Sequence, residues 1–321
     1  MSQETSLKKQ AIGTYQHKLA VACEWLDIEQ GRAADYGRFL DEFEKGRLSG
    51  ESILAYYESY EIVELYALWK ERVDAFPGLK DKIREVCKKG PTLRENETIS
   101  SSSNRPRNDA FCFLVAGKFL AADISVVNVD GIASRRVICE SNADFTFRWE
   151  ESYFDVECKR LQSENQLLKR AEEARDQITQ SGRCGIIAID CSVLCRPAGT
   201  LLDNFDPDDA EFRLSEQLRT DIEPKVRSSL SPSILGFILF AKVPAMTGVG
   251  RILNSSGNLY RRRDIISSWL FVANASSQNP EILRNIVPKL ESQAGSPLSD
   301  SGSEGSDGSR HYPALRRIAL R

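Results

Sequence analysis

Asp144-Phe145-Thr146-Phe147-Arg148-Trp149, then Glu150-Glu151, then Ser152-Tyr153-Phe154-Asp155-Val156-Glu157-Cys158-Lys159 is a hairpin in sequence form. Both flanks alternate with period two, the spacing of strands. In the second flank Phe154, Val156 and Cys158 point one way and Asp155, Glu157 and Lys159 the other. If Glu150 and Glu151 form a two-residue turn, Trp149 pairs with Ser152, and counting back sets Asp144 opposite Glu157. Opposed side chains share a face, with Cβ atoms roughly 4.5–5.5 Å apart. Two carboxylates that close repel unless a cation lies between them. A hard divalent ion takes oxygen ligands, and Mg²⁺ needs only one or two carboxylates with water and substrate phosphate. Lys159 stands two residues along the same face. A one-residue change in the turn would undo the opposition.

A charged helix and the apolar run Gly185-Ile186-Ile187-Ala188-Ile189-Asp190 follow. Ser163-Glu164-Asn165-Gln166 reads as a capping box for that helix. Leu167, Ala171, Ala174 and Ile178 form its apolar stripe, and Gly182 ends it. Gln166, Arg170, Glu173 and Gln177 form a polar stripe beside it. The apolar run is a buried strand. Two strands separated by a helix imply a crossover and a mixed α/β sheet.

Asp144 with Glu157-Cys158-Lys159, on a hairpin followed by a helix and a buried strand, resembles the PD-(D/E)xK nuclease superfamily with its restriction-endonuclease-like fold. The likeness covers roughly residues 108–275, and about fifty of them carry its specific part. It implies that Asp144 and Glu157 bind Mg²⁺ or Mn²⁺ together with the backbone carbonyl of Cys158. Lys159 is implied as the catalytic lysine, with Glu157 and Asp144 completing the catalytic set. It also implies that a polar residue of the helix after the motif, Arg170 or Gln166 here, lies near the motif strand. The family's opening helix often supplies a further acid. Cys112 stands where that acid is expected and Asp109 lies one turn earlier, which is compatible with a one-metal site and leaves the number of metals, one or two, open.

Composition frames this reading. The chain has 321 residues, 41% hydrophobic and 28% charged, with a net charge of −3. That length suits one large domain or two modest ones. A negative total argues against a surface coated with phosphate-binding groups, though a local basic groove is compatible with it. No apolar run approaches a membrane span, and the first residues lack the core of a signal peptide. The eight cysteines are scattered in apolar settings, which suits buried thiols in a reducing cytoplasm better than a disulfide framework. Cys184, Cys191 and Cys195 lack the pairing and the histidine of a zinc site.

Residues 1–90 read as a small all-helical domain. Its segments are Lys8–Asp27, Asp35–Lys45 and Gly50–Phe76, the last entered through Ser49-Gly50-Glu51-Ser52. Its aromatics, among them Tyr36, Tyr57, Trp69 and Phe76, suit core packing better than base stacking. Residues 91–107, rich in serine and proline, read as a linker. Residues 108–290 form the α/β domain. Asn108 or Asp109 caps its first helix, and strands follow at Ile124–Val127 and around Val137 and Ile138. Cys195–Asp208 is a loop, and Asp209–Leu230 a helix kinked or split by Pro224. Late strands span Ile234–Val243 and Ser268–Ala273. Arg251 and Arg261-Arg262-Arg263 fall in a loop between them, a phosphate grip or a solvated cluster. Residues 291–321 read as a disordered tail.

The expected function is metal-dependent phosphodiester hydrolysis of nucleic acid, by a DNA endonuclease with no membrane attachment. The alternatives are a nuclease-like fold that binds nucleic acid or a protein without cutting, and an unrelated α/β interaction domain. The helical N-terminal segment is the candidate surface for a protein partner or a homodimer.

Overall fold

The hairpin forms in the predicted register. β3 (Phe145–Trp149) pairs antiparallel with β4 (Ser152–Arg160), from Trp149↔Ser152 to Phe145↔Val156. Glu150 takes the left-handed φ of +53° that a two-residue turn requires. The computed structural model describes residues 15–44, 49–90, 92, 105–135, 137, 141–195, 202–203, 207–253 and 259–294.

The sheet grows on both sides of this hairpin. β1 (Ser125–Val129) lies antiparallel on the β3 side, with the short β2 (Ile132–Ala133) beyond it. On the other side β4 runs parallel to β5 (Gly185–Asp190), and β5 parallel to β7 (Ile234–Leu253). β8 (Leu259–Ala273) returns antiparallel along β7, and β6 (Leu202–Asp203) pairs with Ala245 and Met246 of β7. The result is a mixed eight-stranded sheet of order β2-β1-β3-β4-β5-β7-β6, with β8 on β7. Each parallel step needs a crossover, and helices supply it.

α6 (Leu167–Ser181) connects β4 to β5. α7 (Ser192–Cys195), α8 (Pro207–Gln217) and α9 (Glu223–Arg227) lie between β5 and β7. α6, α8 and α9 cover one face of the sheet through Ala171, Ile178, Leu214 and Val226, against Ile187, Ile189, Phe237 and Leu239. The other face meets α3 (Gly50–Trp69), α5 (Arg105–Ala121) and α10 (Pro280–Ala294), and α1 (residues 15–25), α2 (Arg32–Glu44) and α4 (Leu79–Lys88) pack onto these helices. Leu19, Leu40, Ile62, Phe111 and Leu283 belong to one continuous core with Val156, Ile186, Ala188 and Ile238 of the strands. The chain is therefore an α/β protein whose N-terminal helices share a core with the sheet.

Helix α5 holds that arrangement together. Trp69 Nε1 donates to the Phe113 carbonyl at 2.9 Å, tying α3 to α5. Gly117 makes the close approach possible, since a Cβ there would lie 2.9 Å from Leu68 Cβ and 2.9 Å from Trp69 Nε1. Tyr36, Trp69 and Phe76 are fully buried, so these aromatics of the N-terminal segment are core.

Several boundaries differ from the sequence reading. α5 begins at Arg105, three residues before the expected Asn108 cap, with Pro106 in the first turn where a missing N–H is tolerated. Residue 91 and residues 93–104 of the expected linker lie outside the described residues. α3 is entered at Ser49-Gly50-Glu51-Ser52 as expected, and there Ser49 and Ser52 form a reciprocal cap. Ser163 makes no such bond; a 3₁₀ turn over Glu164–Gln166 precedes α6. Gly182 ends α6 at φ +74° as expected. Val137 is not in a strand, and Ile138 lies outside the described residues. The helix expected over Asp209–Leu230 is split by a π turn at Leu218–Ile222, and Pro224 opens α9. The expected loop at Cys195–Asp208 contains β6, and its last residues start α8. Arg251 and Arg261–Arg263 lie on β7 and β8, which are far longer than expected, and not in a loop. Residues 291–294 close α10; the rest of the expected disordered tail lies outside the described residues. Among the described residues no helix is long and apolar enough to cross a membrane, and seven described cysteines are free thiols.

Candidate functional site

The site forms where β3 stops and β4 continues. β4 pairs with β3 only as far as Val156, so the β3-side edge of β4 beyond it needs other partners. Side chains supply them. Cys158 N–H donates to Asp144 Oδ2 at 2.7 Å, and Arg160 N–H donates to Asn108 Oδ1 at 2.9 Å. A strand residue presents its N–H and C=O to the same edge, so the Cys158 carbonyl faces the gap that holds Asp144. Asp144 is itself fixed through its backbone. Its carbonyl accepts from Asp130 N–H at 2.8 Å and from Cys112 Sγ at 3.3 Å.

Glu157 and Lys159 project from β4 on the α6 side of the sheet. Lys159 Nζ donates to Glu157 Oε2 at 2.8 Å and lies 3.9 Å from Asp144 Oδ2. The structure thus brings Asp144, Glu157, Lys159 and the Cys158 backbone together at one point. Glu157 is only 3% exposed. Burial pushes its carboxyl up, the Asp144 charge adds to this, and Lys159 opposes both, leaving it at about 7. Burial also raises Asp144, against the pull of Lys159 and the Cys158 N–H. Burial works against the Lys159 charge, but Asp144 and Glu157 outweigh it and raise its pKa. The ensemble is two strained acids around one secure cation.

Asp109 lies close enough to feel this charge. Burial first, then Asp130 and Asp144, against Arg105 and Lys82, raise its carboxyl to about 6. Cys112, where the resemblance implies an acid, is buried and contributes a thiol to the Asp144 backbone. Among the described residues no group of three or more His, Cys, Asp and Glu side chains is arranged to hold a metal. Any cation here would therefore rest on two carboxylates, a backbone carbonyl and water.

Lys159 opens into a groove of about 360 Å³ shared with Arg170, Glu173, Asp176, Gln177 and Gln180 of α6. Arg170 lies there as expected, donating to Glu173 Oε2 at 2.8 Å. Gln166 does not line the groove; it bonds to Gln162 at the start of the helix.

Directly behind the site, on the opposite face, lies a buried ionic network that the sequence reading missed. Arg160 follows Lys159 and so points the other way. Its Nε donates to Asp190 Oδ2 at 2.6 Å, and its Nη2 to both oxygens of Glu61 at 2.9 Å. Lys242 Nζ lies 3.2 Å from Glu61 Oε2 and 4.3 Å from the Tyr57 ring centroid. Arg107 pairs with Glu58 at 2.9 Å. Arg160 and Lys242 outweigh burial and hold Glu61 below the usual carboxylate range. No local spacing announces these pairs, because their members come from distant segments. Asn108, read as a cap, could have been found only from the unpaired edge of β4.

No family model, no characterised protein and no solved structure matches this chain.

Proposed function

We propose that the protein hydrolyses phosphodiester bonds of nucleic acid, DNA in the first place, at Asp144, Glu157 and Lys159. The single observation that carries this reading is the convergence of the buried Glu157 carboxylate, the half-buried Asp144 carboxylate and one ammonium beside the start of β3, with Lys159 Nζ 2.8 Å from Glu157 and 3.9 Å from Asp144. A hairpin, a crossover helix and a parallel buried strand in that order agree with a restriction-endonuclease-like core.

The donor set fits one Mg²⁺ or Mn²⁺. Both carboxyls are raised by burial and Glu157 also by its neighbour, the situation that a divalent countercharge relieves. Asp144, Glu157 and the Cys158 carbonyl would hold the ion, with water as its remaining ligands. Such an ion supplies a polarised phosphate oxygen and a bound water of lowered pKa. The chain's own residues do the rest. The Cys158 N–H fixes the rotamer of Asp144. Lys159 stays charged and has three donors, so it can keep Glu157 and still donate to a phosphate oxygen as negative charge builds there. The α6 groove leads away from Lys159 and gives the chain of the substrate a path.

A second reading, binding without cutting, is favoured by Cys112, which offers a thiol where a further acid would strengthen metal binding. One experiment separates them. The purified protein is incubated with plasmid and single-stranded DNA, with and without Mg²⁺ or Mn²⁺, beside Lys159→Ala and Asp144→Asn. Cation-dependent cutting that falls about 10²-fold or more in Lys159→Ala supports hydrolysis. Undiminished cutting by Lys159→Ala removes its role. A mobility shift without cutting supports the second reading, and neither cutting nor a shift rejects both.

A further inference from the structure

β7 does not stop where its parallel neighbours stop. Its pairing with β5 ends at Asp190↔Phe240, and β6 adds partners only at Ala245 and Met246. Pairing with β8 continues unbroken from Gly236↔Ala273 to Gly248↔Arg261 and resumes at Leu253↔Leu259. Beyond Met246 the described chain is a ribbon of two strands. This outer part is strongly basic. From Met246 to Arg263, the part beyond the Ala245↔Asp264 pair, the sequence contains Arg251, Arg261, Arg262 and Arg263 and no Asp or Glu, in a chain whose net charge is −3.

The direction of the ribbon ties it to the site. Lys159 pairs with Ile189, and Ile189 pairs with Leu239, so Lys159 and Leu239 occupy one level of the sheet. β4, β5 and β7 are parallel, and the ribbon leaves past their carboxyl ends, the edge at which the candidate site lies. Arg261 pairs with Gly248, which is nine residues past Leu239, or about 30 Å at roughly 3.3 Å per residue. That is about one turn of a duplex, roughly 34 Å. The major groove of B-form DNA admits a two-stranded ribbon, and phosphates pair with arginine.

From this placement we infer that the β7–β8 ribbon is a grip for double-stranded DNA, holding backbone phosphates about one helical turn from Lys159. The inference rests on the proposed hydrolytic reading for the kind of partner. An acidic protein surface is the competing occupant. The geometry favours a duplex because Arg263, Arg262 and Arg261 pair with β7 seven to nine residues past Leu239, about 23–30 Å, within one duplex turn of a site suited to phosphodiesters.

The test uses the full chain in EDTA, with a fluorescent DNA duplex of about three turns, titrated by anisotropy between about 50 and 200 mM KCl. Arg261→Ala/Arg262→Ala/Arg263→Ala is expected to bind about 10–100-fold more weakly and to lower the slope of log K against log salt by about 2.7, at 0.9 per phosphate contact. The corresponding triple lysine variant keeps the charge and should bind within about threefold of wild type. Arg316→Ala/Arg317→Ala/Arg321→Ala removes equal charge from the terminal segment and should change little. Wild-type affinity in the triple alanine variant overturns the inference, as does an equal loss in the terminal-segment variant. A lysine variant as weak as the alanine variant also overturns it, as does failure of the wild type to bind duplex. Polyglutamate competing as well as DNA would make the ribbon a protein contact and overturn it too. Duplex binding that depends on the ribbon, in a protein that never cuts, supports the grip and sinks the hydrolytic reading. Cutting in Mg²⁺ with no dependence of binding on the ribbon does the reverse.

Discussion

Glu157 is a buried carboxyl whose pKa, pushed up to about 7 by burial and by Asp144 against Lys159, has a consequence for stability. Its unfolded value is near 4.3, so folding without metal favours the protonated form. The stabilisation is complete below the unfolded value and is lost as pH rises through about 7. Metal-free protein should therefore melt at a higher temperature near pH 5.5 than near pH 8. Between those two pH values the difference attributable to this residue is at most about 2 kcal/mol, since each pKa unit is worth about 1.4 kcal/mol. Glu157→Gln should flatten the profile, and Mg²⁺ should raise the melting temperature most at the alkaline end, where both acids are charged. Differential scanning fluorimetry in EDTA reads this directly; a wild-type profile that Glu157→Gln leaves unaltered would remove the strained-acid description. The convergence of Asp144, Glu157 and Lys159 was legible because a two-residue turn leaves one register, and the alternation puts Glu157 and Lys159 on one face. What Asn108 and Arg160 do was not legible. Their partners depend on where β3 ends and on which helix lies behind β4, and neither is a local property of the sequence.

Among the elements, β3–β4, β5 and the end of α6 could be read from period, turn and glycine. The start of α6 could not, because Ser163 offers a capping pattern that the chain replaces with a 3₁₀ turn. The β7–β8 ribbon was cut short in the reading because its glycines and polar residues imitate a loop, whereas cross-strand pairing carries them as strand. Helix α3 was legible as a helix but not as a partner of the sheet. It supplies Glu61, 5% exposed, to two buried cations, Arg160 and Lys242. Removing one charge from such a group leaves the others desolvated and uncompensated, at about 3–5 kcal/mol. Glu61→Leu should therefore lower the unfolding free energy from urea titration by that order. Arg160 would lose its anchor in the α3 layer and Lys159 with it some of its fixed position. A loss under about 1 kcal/mol would mean that water already reaches the network. Gly117→Val tests the same interface by shape. Its Cβ would meet Leu68 and Trp69 at 2.9 Å, so α3 and α5 would have to separate, at about 1–3 kcal/mol or more.

For the whole molecule, composition suggested a helical unit followed by a linker and an α/β unit, yet the cores of the two segments are one. Leu19, Tyr36, Trp69 and Ile83 belong to the same buried cluster as Phe145, Val156 and Ile238. The segments are also joined by charge, since Arg160 and Lys242 of the sheet are neutralised by Glu61, and Arg107 of α5 by Glu58. A fragment beginning at Arg105 would expose the apolar face of α5 to water and remove Glu58 from Arg107 and Glu61 from Lys242 and Arg160, leaving Arg160 with Asp190. Each such buried charge costs several kcal/mol, against a total stability of about 5–15 kcal/mol for a typical domain. The fragment should thus fail to fold alone, with no near-UV circular dichroism and an early gel-filtration elution from its expanded chain, and the full chain should unfold in one transition by far-UV and near-UV probes alike. Co-expression of residues 1–104 as a separate chain should restore both signals if the segments pack as one body. A fragment from Arg105 that is folded and monomeric by itself would show that the shared core is an added layer and that the candidate site stands without it.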